Sequence, residues 1–164
     1  PIWYIFDRIS GVIGGDGWHR SNLIDQFIKH TNDWILMGMP IEDTANWAAT
    51  VTRFGGIDVT NYYVSIGLSS GILALVVFLF FLHKTFSGIN RSMEYLSKTE
   101  ENTRFEESIL WGVRTSIFAH AVNLIGVSYW DQSYLIWALH IALASNMILF
   151  YSRSRGEEIN IQIS

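Results

Sequence analysis

The chain has 164 residues, enough for one domain, but it is 49% hydrophobic, 15% aromatic and only 16% charged, a mixture that soluble domains rarely carry. A formal net charge of −4 gives no electrostatic footing for nucleic acid, and the lack of cysteine excludes disulfides and thiolate metal sites. Only two prolines are present, so a disordered Pro-rich linker is also excluded.

Residues 1–61 come first. From Asp7 to Asn61 charged and polar groups recur (Arg8, Asp16, His19, Arg20, Asp25, Lys29, His30, Asp33, Glu42, Asp43, Arg53, Asp58), so no stretch is apolar for long enough to span a bilayer. The run GGDGWHRSNLID, Gly14 to Asp25, is a glycine turn feeding a helix. Over Ser21–Asn32 the apolar residues Leu23, Ile24, Phe27 and Ile28 recur at helical spacing, which predicts an amphipathic helix lying on the bilayer surface. Ser21 or Asn22 is expected to cap it, Trp34–Met37 extends its apolar face, and Gly38 and Pro40 end it. Arg20 then stands at a helix start, where free backbone N–H groups and a guanidinium both favour a phosphate; the plain alternative is a solvated side chain. Asp58, Thr60 and Asn61 lie just before the next helix, as a cap or as site residues.

Three membrane helices are expected. No charge occurs from Val59 to Leu82, which places a span at 62–83. A second, at 109–127, is less apolar and carries Arg114, with Ser116, His120 and Asn123 on one face. The third, at 133–151, contains His140 and Asn146. These polar groups read either as inter-helix hydrogen bonds or as a polar path through the bundle. Arg114 near a boundary is able to snorkel. Lys84, Arg91, Lys98 and Arg104 fall between the first two spans and Arg153 and Arg155 after the third, while the link 128–132 has no Lys or Arg. The positive-inside rule puts 84–108 and 152–164 in the cytoplasm and 1–61 and 128–132 outside it. Tyr62, Tyr63, Tyr129 and Trp130 fit an aromatic belt.

Taken in order, GWHRSNLID, NDWILMGMP, Trp47, GGIDVTNYYVSIGLSSGILALVVFLF and GVSYWDQS form a more specific pattern than any one of them. Over roughly residues 1–151 the chain resembles the C-terminal portion of the O-antigen ligase/polymerase superfamily, bacterial membrane glycosyltransferases of lipopolysaccharide and exopolysaccharide assembly. The resemblance implies an all-α, GT-C-like polytopic protein of the inner membrane, with a periplasmic catalytic loop. It implies metal-independent transfer, without a cofactor, of a glycan from an undecaprenyl-diphosphate carrier to a glycan or lipid A-core acceptor. It matches Arg20 to the loop arginine that grips the diphosphate, and Asp58 and Asn61 to the D-x-TN motif. His19 and Asp58 are then the two candidates for the base, Arg53 and Arg8 are further cations, and Trp18 and Trp47 are indoles for stacking on sugar rings. One departure stands out: many ligases carry His directly before the Asn, and here that position is Thr60. The resemblance also implies further N-terminal spans outside these residues, so this stretch is expected to be inactive alone. The alternative function is a membrane transporter or lipid-binding module without transferase activity.

Overall fold

The structure, a computed structural model, describes residues 1–13, 17–47, 52, 55–99, 103–129 and 131–163. Among them there are helices and connecting turns and no strand. Helices α1 (Ile5–Ile13), α2 (Gly17–Lys29) and α3 (Thr31–Trp34) precede α4 (Tyr62–Lys98), α5 (Arg104–Gly126) and α6 (Gln132–Ile163), with short 3-10 turns at Ile2–Tyr4 and Ile41–Trp47. The chain divides into two compact units. The first takes Pro1–Phe78 and Asn123–Tyr129; the second takes Leu79–Val122 and the described residues from 131 onward.

The first unit is built around indoles. Leu23, Trp34, Trp47, Ile57, Val64 and Leu68 form its buried core. The Trp34 ring stacks on Phe27 at 3.9 Å, and its N–H donates to the Phe27 carbonyl at 2.8 Å. His30 stacks on Trp47 with ring centroids 5.0 Å apart, and Asn22 donates to the Trp47 carbonyl. Burying two such large rings contributes substantially to this unit, and the Trp34 N–H is satisfied as it does so. The buried hydroxyl of Thr44 donates to Ile41 O and accepts from Ile57 N–H, so the segment before α4 is tied to the Ile41–Trp47 turn.

The predicted helix over Ser21–Asn32 begins four residues earlier, at Gly17. Ser21 is therefore not a cap: it is buried inside α2, and its hydroxyl donates to Trp3 O at 3.0 Å. Close packing explains the early start, because Gly17 lies against the Phe6 carbonyl of α1, where a side chain has no room. Gly38 does end the following turn, with φ 81°.

The uncharged stretch 62–83 is not one uninterrupted helix. Gly71 has φ 78° and ψ −175°, outside helical geometry and tolerated essentially by glycine alone. Here the helix exchanges hydrogen bonds with the turn before Met39. Leu68 O accepts from Met39 N–H at 2.7 Å, and Ile72 N–H donates to Ile35 O at 2.9 Å. In regular helices Leu68 O would pair with Ile72 N–H, and Ile35 O with Met39 N–H. At these four groups the two segments have swapped partners. Both glycines permit the contact: a Cβ on Gly71 would sit 2.7 Å from Leu36 O, and one on Gly38 would meet Leu68 O.

In the second unit the buried positions repeat by sevens. On α4 they are Leu82, Thr85, Ile89, Ser92 and Leu96; on α5, Leu110, Val113 and Ile117; on α6, Trp137, Ala144 and Tyr151. A seven-residue repeat of inward positions is the spacing by which one face of a helix is buried along its length. Gly88 faces Ile148 of α6, and a Cβ there would lie 2.7 Å from Ile148 Cδ1. Away from these seams the helices remain apolar and exposed, at Phe80, Trp111, Phe118, Leu135, Leu139, Leu143 and Phe150. Neither α4 nor α6 stops where the expected spans end: α4 runs helical to Lys98 and α6 to Ile163. Among the described residues two helices are long and apolar enough to cross a membrane, Tyr62–Lys98 and Gln132–Ser154, with 22% and 11% of their most apolar windows buried by the protein.

Candidate functional site

Three segments that are distant in sequence meet in the first unit. The start of α2 supplies Trp18, His19 and Arg20; the extended run before α4 supplies Asp58, Val59 and Thr60; the end of α5 supplies Gly126 and Ser128. His19 Nε2 donates to Asp58 O at 2.7 Å, joining the first two. Ser128 Oγ donates to Val59 O at 2.7 Å, joining the second to the third. Arg20 Nε lies 3.8 Å from where a Cβ on Gly126 would stand, closing the ring.

Local chemistry sets each position. Arg20 is the fourth residue of α2, within the turn whose backbone N–H groups have no helical acceptor. Its Nε is buried, as is Thr60 Oγ1, and neither has a hydrogen-bond partner among the described residues. A buried polar atom left so costs about 1–3 kcal/mol, and a polar ligand at this junction recovers that cost. A carbonyl only accepts, so the bond to Asp58 O puts a proton on His19 Nε2. The two candidate bases are thus joined through a main-chain carbonyl. They form no His–carboxylate pair through this bond, and Asp58 is exposed to solvent.

Other residues singled out from the sequence are placed differently. Asn61 is buried, and its Oδ1 accepts from Tyr63 N–H at 3.0 Å and Val64 N–H at 3.1 Å. That is an N-cap for α4, and it commits the side-chain oxygen that a substrate would otherwise use. Trp47 is in the core, its ring stacked on His30, so the face expected for a sugar is covered. Trp18 is 57% exposed at the start of α2, the one indole of the two still presented to solvent. Arg8 is on α1, and Arg53 and Trp130 lie outside the described residues. Tyr129 borders the junction; burial raises its phenol above the ordinary tyrosine range, and a hydrogen bond from its neighbour Asn123 pulls partly the other way.

Ser128 and Gly126 were legible only as part of a motif, because nothing in their spacing says that the end of α5 returns to Val59. Thr60 was legible as a cap or site residue before α4 and as a departure from the family pattern. Its buried, unpartnered hydroxyl gives it a part that composition could not signal. In the second unit, His120 Nε2 and His140 Nδ1 are 3.0 Å apart with the Trp137 ring beside them, so the two histidines of the expected spans are hydrogen-bonded to each other across α5 and α6. No family model, curated protein or solved structure matches this chain.

Proposed function

We propose that this chain carries the extracytoplasmic loop and C-terminal spans of a bacterial inner-membrane glycosyltransferase of the O-antigen ligase/polymerase kind. The observation that supports it is the junction itself: GWHR, DVTN and the segment after α5 are three of the stretches that carry the resemblance, and His19, Arg20, Asp58, Thr60 and Ser128 gather there. The substrate is a glycan on an undecaprenyl diphosphate, and the acceptor is a sugar hydroxyl of a growing glycan or of lipid A-core.

In the reaction the acceptor oxygen forms a bond to the anomeric carbon as the bond from that carbon to the diphosphate breaks. The acceptor proton passes to a base, and the electron pair leaves with the diphosphate. A fixed guanidinium at Arg20, next to the free N–H groups of the α2 start, stabilises the charge that develops there. Arg suits this better than Lys because it stays charged and binds phosphate oxygens in pairs. His19 or the Asp58 carboxylate takes the proton. Multi-pass membrane residence, with α5 as a third span, belongs to the same proposal; the exposed apolar faces of all three long helices favour it.

The test is made in the protein with its N-terminal spans. Arg20→Lys and Asp58→Asn are each expected to abolish the long surface glycan while the protein stays in the membrane, and His120→Ala is expected to leave it. The second reading, a transporter or lipid-binding module, rests on the His120–His140 pair. It is preferred if the loop variants keep wild-type glycan and His120→Ala or His140→Ala destroys it.

A further inference from the structure

The hydrogen-bond exchange between the turn before Met39 and the break in α4 carries two side chains with no polar task. Leu36 is 83% exposed and Met37 is 90% exposed. They are held rigidly, because Ile35 and Met39 on either side are bonded to Ile72 and Leu68, and Trp34 is locked in the core. On the partner segment, Ile72 and Leu73 stand out next to the break, with Leu73 70% exposed, and Val76 and Val77 follow on the same apolar helix. A built turn that offers leucine and methionine to solvent leaves apolar surface in water that a lipid surface would cover.

We propose that this exchange is where the first unit rests on the bilayer, with Leu36, Met37 and Leu73 seated among lipid acyl chains. Lipid is the occupant that the surroundings select. The patch is continuous with the apolar run from Ile72, and it contains no charged group. Met39 N–H and Ile72 N–H are already bonded across the break, so only the side chains of the turn need to reach the acyl chains while its backbone stays at the interface. The preceding part of α4 fits this placement: Val64, Gly67 and Leu68 are buried against Phe27 and Trp34, covered by protein and not by lipid. The boundary of the bilayer then falls near Gly71, nine residues beyond the tyrosines at which the sequence pattern put it. The inference is independent of the transferase reading, since it concerns contact with lipid and not chemistry.

The chain has no cysteine, so single labels are clean. Met37→Cys, Leu73→Cys and, as a control, Asp43→Cys are each labelled with a polarity-sensitive fluorophore in the full chain. The chain is reconstituted in vesicles of phosphatidylcholine and phosphatidylglycerol. Labels at 37 and 73 are expected to emit to the blue and to be quenched several-fold more by acyl-chain-brominated lipid than the label at 43. Quenching of the 37 label by aqueous iodide, to the level seen at 43, overturns the proposal. A blue-shifted label at 37 that brominated lipid does not quench also overturns it, because the turn is then covered by protein. Neither result depends on glycan synthesis, so failure here is distinguishable from failure of the proposed activity.

Discussion

At the scale of single residues, the candidate site separates side chains that hold the fold from those with spare chemical capacity. Asn61 holds the fold. Removing its cap in Asn61→Ala is expected to cost about 1 kcal/mol, and up to about 2 kcal/mol at a well-formed cap, read as a lower midpoint of thermal unfolding. Asn61→Asp keeps the acceptor oxygen and is expected to recover most of the loss. A substrate-binding role alone would instead leave the unfolding midpoint of Asn61→Ala unchanged. Arg20 and Thr60 are of the other sort, each with a buried atom that the described residues do not satisfy. Tyr129 offers a pH test. Burial raises its phenol, so the folded state holds the proton more tightly than the unfolded chain does. Its contribution is therefore complete below about pH 10, the unfolded value, and is lost as the pH climbs through the folded one. Tyr129→Phe is expected to remove a late-titrating phenol from the alkaline absorbance curve and to flatten that loss.

At the scale of elements, the exchange between the Ile35–Met39 turn and α4 depends on two glycines at positive φ. Gly71→Ala and Gly38→Ala are each expected to destabilise by about 1–3 kcal/mol from backbone strain alone, with more from the clash against a carbonyl. Retention of the wild-type unfolding midpoint in Gly71→Ala would mean that α4 is continuous. The sequence made α4 legible as an apolar run but not as a broken one. Hydropathy counts side chains, whereas the break is a matter of φ and of a carbonyl from a segment 36 residues earlier, Ile35 to Gly71. Helix α2 was legible for a local reason, the spacing of Leu23, Ile24, Phe27 and Ile28, while its first turn was misjudged because Ser21 looked like a cap. The seven-residue seams of the second unit were hidden for the opposite reason. Apolar residues also cover the outer faces of those helices, so no polar contrast marks which side faces inward.

At the scale of the whole molecule, the number of crossings decides on which side the C-terminal residues emerge, and a single measurement counts them. Helices α4 and the Gln132–Ser154 part of α6 are apolar enough to cross. Helix α5 is the open case: it carries Arg114, His120 and Asn123, yet Trp111, Phe118, Val122 and Ile125 are exposed apolar side chains on it. An arginine at the centre of a span costs about 2.5–3.5 kcal/mol on the insertion scale. Arg114 is five residues in from Ile109, roughly 7.5 Å along the axis at 1.5 Å per residue, so its long side chain reaches the interface and the cost falls below that figure. His120 and His140 satisfy each other across α5 and α6, which lowers the cost of both in lipid. If α5 crosses, the chain passes the membrane three times, and Lys84, Arg91, Lys98, Arg104 and Arg153 share the cytoplasmic side. If α5 lies along the surface, only two crossings remain, and Arg153 returns to the side of His19 and Arg20. A reporter active only outside the cytoplasm, fused after Arg153, is therefore expected to be silent, and the same reporter after Tyr129 is expected to be active. Activity after Arg153 would remove the third span and place the basic tail against the positive-inside rule.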